Sequence, residues 1–195
     1  MKYLFQKYYS NDLVFCKNNA EDTILHCALR NGNLEMVKLI LNQLCEYNTS
    51  TENILFSKNR MGQTCFHIGC IKGYYNICEY FLKEKKLINF VEYLDNNSNS
   101  PLHLATQNGH SSIVSLLCEF GADTNLKNDE DITPLETSCR KGFFEISKTL
   151  ISNYEPTTSE SPDDSPLHTA CYEGAHEVVR VLLNKGIIYN SFLNC

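Results

Sequence analysis

The stretch SPLHLATQNGH, Ser100 to His110, decides the fold. It reads as a helix with both ends marked: Ser100 offers a small hydroxyl for the cap, and Pro101 fits the first turn, where its missing N–H costs no hydrogen bond. Leu102 and Ala105 fall on one side, and Gly109 supplies the stop. Met once, this is a local turn into a helix. Met repeatedly, it is one unit of a larger architecture.

The stretch recurs. Close copies are TILHCALRNG from Thr23, TCFHIGCIKG from Thr64, TPLETSCRKG from Thr133 and SPLHTACYEG from Ser165, five in all with the first. The closing glycines Gly32, Gly73, Gly109, Gly142 and Gly174 are separated by 41, 36, 33 and 32 residues. A second apolar run follows each: MVKLIL, ICEYFL, IVSLLC, ISKTLI and VVRVLL. A glycine in the left-handed region ends the first helix and lets the chain reverse into the second. Neither helix is expected to reach the ~12 to 15 residues at which an isolated helix becomes marginally stable, so neighbours must supply the stability. One repeat alone is not expected to fold.

The T-P-L-H-x-A pattern, the glycine nine residues after the Thr and FGADTN at Phe120 to Asn125 resemble the ankyrin-repeat family. The resemblance implies an all-α ankyrin-repeat solenoid of about five stacked helix-turn-helix repeats with hairpin-like fingers. Residues 1–22 then form an N-terminal segment, 23–186 the array, with repeats starting near 23, 64, 100, 133 and 165, and 187–195 a tail or truncated next repeat. EPTTSESPDD, Glu155 to Asp164, has the composition of a linker, but the 32-residue period across it leaves no room for an insertion, so it replaces a finger. The 8 residues by which the first spacing exceeds 33 call for a longer loop within Gln43 to Arg60, a candidate for partner contact or disorder.

Composition narrows the function. With 43% hydrophobic and 21% charged residues the chain is in the range of foldable soluble proteins. A formal charge of −6 with scattered Lys and Arg argues against nucleic acid, and KEKK at Lys83 to Lys86, broken by Glu84, reads as a solvated helix end. No window approaches the ~18 apolar residues of a membrane helix, and MKYLFQKYYS is no signal peptide, because Gln6 and Lys7 interrupt it. The ten cysteines therefore read as thiols of a reducing cytosol, and the sequons at Asn48 and Asn96 as unmodified.

No P-loop, dinucleotide-binding glycines, G-x-S-x-G or metal-binding pair is present, so no catalytic, cofactor-binding or metal-ligating residues are expected. His26, His67, His103 and His168 recur at the fourth motif position beside many cysteines, which invites a zinc reading. A group placed once per repeat has a per-repeat task, and the ankyrin resemblance assigns it: the imidazole ties backbone groups of adjoining turns. Glu136 takes that place in the fourth repeat, so that junction is expected to be weaker or differently bonded. Cys70, Cys139 and Cys171 occupy a small position of the first helix and Cys78 and Cys118 the apolar run of the second, all expected in the core. Cys16, Cys45 and Cys195 lie outside the motifs and are the candidate reactive thiols.

The residues before each glycine vary between copies: Arg30 and Asn31, Ile71 and Lys72, Gln107 and Asn108, Arg140 and Lys141, Tyr172 and Glu173. In the ankyrin fold these lie toward the inner, concave side, which makes them the candidate partner contacts; a merely solvated face is the alternative.

LINFVEYLDNNSNSPLHLATQNGH, Leu87 to His110, then FGADTN, EISKTLISNY and a polar spacer resemble the cytosolic ankyrin array of ankyrin-type transient receptor potential cation channels over Leu87 to Gly186. That resemblance implies one arm of a homotetrameric, calcium-permeable channel on the cytosolic face of the plasma membrane, without its six membrane helices and pore. NKGIIYNSFLNC, where GIIYN takes the place of GADTN, offers no convincing cap: either Ile187, Ile188, Tyr189 and Phe192 fold back over the last helix pair, or, as is favoured, the chain is a piece of a longer array. The alternative is a complete cytosolic adaptor that docks a protein partner on its concave face.

Overall fold

The computed structural model describes residues 16–46, 51–154 and 166–186. Each motif copy forms a helix pair. The first repeat is α1 (Ile24–Arg30) and α2 (Leu34–Glu46), followed by a short α3 (Thr51–Leu55). The second is α4 (Cys65–Lys72) and α5 (Tyr75–Glu79), which runs on as a π-helical turn, Tyr80–Glu84, before a 3-10 turn at Ile88–Glu92. The third is α6 (Pro101–Gln107) and α7 (Ser111–Glu119), the fourth α8 (Pro134–Lys141) and α9 (Phe144–Ser152), the fifth α10 (Pro166–Tyr172) and α11 (His176–Asn184).

The first helices stack in one row, α1 on α4 on α6 on α8 on α10, and α5, α7, α9 and α11 form the second row. The third motif position drives this: Leu25, Phe66, Leu102 and Leu135 are buried between successive repeats. Burying a side chain of this size contributes about 1.5–3 kcal/mol. No single helix holds that apolar stripe without its neighbours. The result is an all-α ankyrin-type solenoid, as the repeat pattern predicts.

Two spacings that depart from 33 have structural uses. The extra residues between the first two repeats do not form a plain loop: α2 extends to 13 residues, longer than the spacing predicts, and α3 buries Ile54 and Leu55. Apolar residues in that segment pull it onto the core. The three further residues between the second and third repeats allow the π-helical and 3-10 turns, which put Phe90 into the core at 0% exposure. Phe90 stacks on Phe66 with centroids 5.0 Å apart, and the edge of Phe81 meets it at 5.5 Å. Phe56 stacks on Tyr93 at 5.0 Å. An aromatic plug, worth more than its area because of ring geometry, thus fills the widened junction.

Candidate interaction surface

The surface that faces away from the second row is built from fingers and from the ends of the first helices. Each described finger is organised by one side chain. The Oδ1 atoms of Asn18, Asn59, Asp95 and Asn128 each accept two backbone N–H groups: from Ala20 and Asp22, Met61 and Gln63, Asn97 and Asn99, Glu130 and Ile132, all at 2.9–3.1 Å. A side-chain oxygen that mimics a backbone carbonyl is the natural way to fold so tight a turn. Neighbouring fingers then pair through their backbones, with Arg60 N–H donating to Ala20 O at 3.0 Å, Asn96 N–H to Met61 O at 3.1 Å and Asp129 N–H to Asn97 O at 3.1 Å. The four organising residues repeat at 41, 36 and 33, the same spacings as the glycines, a sequence signal that motif reading passed over.

The histidines anchor these fingers to the helices. The N–H of Thr23, Thr64 and Ser100 donates to Nδ1 of His26, His67 and His103, at 3.2, 3.1 and 3.2 Å. That fixes the proton on Nε2, which donates to Gln63 O at 2.9 Å and Ile132 O at 3.0 Å in the next finger, and to Tyr93 O at 3.0 Å at the end of the 3-10 turn that leads into it. Burial, resisting charge, holds His67 down to about 4 and lowers His26 and His103 as well. His168 is exposed, since no further finger covers it among the described residues. Glu136 caps its own helix, accepting from Thr133 N–H at 2.6 Å; the finger that would follow lies outside the described residues.

A second ladder escaped the sequence reading. At three successive junctions the residue after the closing glycine lies over the glycine of the repeat before, and at the fourth Ala175 leaves Gly142 uncovered. Tyr74 covers Gly32 and its hydroxyl donates to Arg30 O at 3.3 Å; His110 covers Gly73 and its Nε2 donates to Ile71 O at 3.0 Å. Phe143 lies likewise over Gly109. Gly73, at φ +79°, is therefore required twice, by its left-handed backbone and because a Cβ would stand 2.7 Å from the His110 ring.

The variable residues occupy the ends of the first helices. Arg30 is held by buried Asp22, Nε to Oδ2 at 3.0 Å, and Asn31 returns to Cys27 O at 3.3 Å. Burial pushes the Asp22 carboxyl up, but hydrogen bonds from Arg30 and Asn59 outweigh it and leave it below the ordinary value. Ile71 is half-buried, and Lys72 is exposed. Gln107, Asn108, Arg140 and Lys141 come together: with Ile132 and Thr137 they line an open groove of about 320 Å³ between α6 and α8. Arg140 Nε lies 3.7 Å from Glu173 Oε1 of the next repeat, and Tyr172 stands 90% exposed beside it.

The thiols divide by burial. Cys65, Cys70 and Cys78 are fully buried and Cys139 nearly so. Burial pushes the thiol of Cys65 up to about 12 and those of Cys118 and Cys139 up to about 11. Cys171 is exposed, against expectation. Its equivalents Leu29, Cys70, Thr106 and Cys139 are buried, each on a first helix with another first helix stacked after it, and no such helix follows α10 among the described residues. Cys16 and Cys27 are exposed; the Cys45 side chain and Cys195 lie outside the described residues. Among the described residues no cluster of His, Cys, Asp and Glu is arranged to hold a metal ion, and no helix is long and apolar enough to cross a membrane.

Comparison with known proteins agrees with this architecture. The family described as ankyrin repeats (3 copies) matches residues 1–91, 48–128, 85–161 and 120–193. The chain is 29% identical over 141 residues, 72% of its length, to the transient receptor potential cation channel subfamily A member 1 homolog of Caenorhabditis elegans. To the subfamily A member 1 channel of Homo sapiens it is 28% identical over 153 residues, 78% of its length. To the E3 ubiquitin-protein ligase XBAT33 of Arabidopsis thaliana it is 49% identical, over 53 residues, 27% of its length. The chain spans only 10–13% of the length of these relatives.

Proposed function

We propose, from the premise that this chain belongs to the ankyrin-repeat family, that it is a non-catalytic scaffold whose inner face, at Arg30, Asn31, Ile71, Lys72, Gln107, Asn108, Arg140, Lys141, Tyr172 and Glu173, takes up a protein partner. Ankyrin repeats are an interaction fold, and a stacked array leaves variable side chains on a rigid frame. Within that role the chain serves as part of the cytosolic ankyrin region of a subfamily A type cation channel, assembled as a homotetramer.

The observation that carries the channel reading is coverage. Both channel relatives align with 72% and 78% of this chain, across most of the array, against 67% for the Nuclear factor NF-kappa-B p105 subunit of Gallus gallus and 27% for the ligase. The 3-10 turn at Ile88–Glu92 and the three helix pairs after it lie within Leu87 to Gly186, the part whose sequence resembles the channels. Sequencing the transcript through and beyond the codon for Cys195 tests it. A reading frame that continues through further repeats into apolar membrane segments supports the channel. A stop at once after Cys195 replaces it with a free-standing adaptor that uses the same inner face.

A further inference from the structure

We propose that the groove between α6 and α8 binds an acidic stretch of polypeptide, whose carboxylates meet Lys141 and Arg140. The proposal rests on the inner-face reading above and gives the partner a chemistry.

The groove is lined by Gln107, Asn108, Ile132, Thr137, Arg140 and Lys141, two cations with no carboxylate among the lining residues. Its volume of about 320 Å³ is at the lower end of ligand clefts. Lys141 is exposed and makes no ion pair among the described residues. Arg140 already holds a carboxylate at the edge of the groove, that of Glu173, at 3.7 Å, and Arg30 at the corresponding end of α1 holds Asp22 at 3.0 Å. Two arginines of this strip of the inner face thus hold carboxylates of the chain itself. Lys72 continues the strip in the second repeat, so Lys72 and Lys141 stand exposed along it beside two arginines that hold Asp22 and Glu173, with the exposed carboxylates Asp129, Glu130 and Asp131 on the finger that leads to Ile132.

The whole chain carries −6. A polyanion is repelled by the molecule at large, so binding of an acidic peptide requires a local site. Gln107 supplies amide donors to a peptide backbone, and Ile132 an apolar floor.

The test uses the intact chain and fluorescence anisotropy of a labelled peptide alternating Glu with Gly, against its Gln counterpart, at low salt. The Glu peptide binds and the Gln peptide binds about tenfold more weakly. Lys141→Glu weakens the Glu peptide about tenfold, while Lys148→Glu, the same charge change on the exposed side of α9, leaves it unaltered. Urea transitions of both variants establish that they fold. Absence of binding, equal binding of the Gln peptide, or equal losses in the two variants overturns the proposal. So does equally tight, Lys141-dependent binding of single-stranded oligodeoxythymidine, which reassigns the groove as a general anion site. A natural partner that cross-links from Gln107 while the Glu peptide fails leaves the inner-face reading standing and removes only the acidic chemistry.

Discussion

The Nε2–H of His103 donates to the carbonyl oxygen of Ile132, 3.0 Å away and 29 residues further along the chain. With Nδ1 of the same ring accepting the Ser100 N–H, one neutral imidazole closes the cap of its own helix and ties down the next finger. Three histidines do this in succession, so the stack depends on their remaining uncharged.

That dependence has a sign. His67 sits at about 4 in the folded chain against an ordinary 6.5, and His26 and His103 are shifted in the same direction. The unfolded chain therefore binds more protons between these values, and stability rises with pH across the window. It is fully present above 6.5 and lost as pH falls toward 4, with His67 alone accounting for on the order of 3 kcal/mol. Urea midpoints measured at neutral pH and at mildly acid pH should fall steeply, and His67→Gln should flatten the dependence. A midpoint independent of pH across the window contradicts the account.

Gly73 and Gly142 separate two costs. Both have positive φ, +79° and +69°, so alanine at either pays the left-handed penalty of about 1 kcal/mol. Only at Gly73 does the new Cβ also meet a ring, His110 at 2.7 Å; around Gly142 nothing lies within 4 Å. Gly73→Ala is expected to be the more destabilising by about 1 kcal/mol or more in chemical unfolding. Equal losses would mean that the ring moves aside freely.

Thiol labelling reads the stack directly. Cys16, Cys27 and Cys171 should react with a disulfide reagent in the native chain, and Cys65, Cys70, Cys78 and Cys139 only on unfolding. Peptide mapping after a brief native pulse distinguishes them. Rapid native modification of Cys70 would show that the second repeat does not stack as described.

Thr106 is buried, and its hydroxyl finds no hydrogen-bond partner among the described residues. A buried polar group left unpaired costs about 1–3 kcal/mol. Thr106→Val keeps the shape and removes the hydroxyl, so thermal unfolding should shift upward. A lower midpoint would place an unseen partner, such as water, on that oxygen.

The helix pairs were legible because the signals that make them are local: a capping hydroxyl, a proline and a glycine at fixed spacing. Ser100, Pro101 and Gly109 announce α6 without reference to any other repeat. What depends on distant chain was harder to see. Asn59 and Asp95 look like ordinary turn residues until their shared period with the glycines is noticed, and Tyr74 and His110 have meaning only through the glycine of the repeat before. Cys171 has the motif position of a core residue, but position alone does not bury a side chain; a following helix does. Segment Thr51–Leu55 has too few apolar residues to show a helical period in sequence, yet Ile54 and Leu55 suffice once a core is there to receive them. Of the interaction surface, the positions were readable; the meeting of Gln107 with Lys141 across two repeats was not.

The measurement that bears most directly on the inner-face account is site-specific photo-cross-linking in cells, with the reactive residue placed either at Gln107 in the groove or at Ser115, exposed on α7. The account predicts a discrete cross-linked partner from Gln107 that is absent from Ser115. Cross-linking from Ser115 with none from Gln107 would contradict it and move the binding surface to the second-helix side.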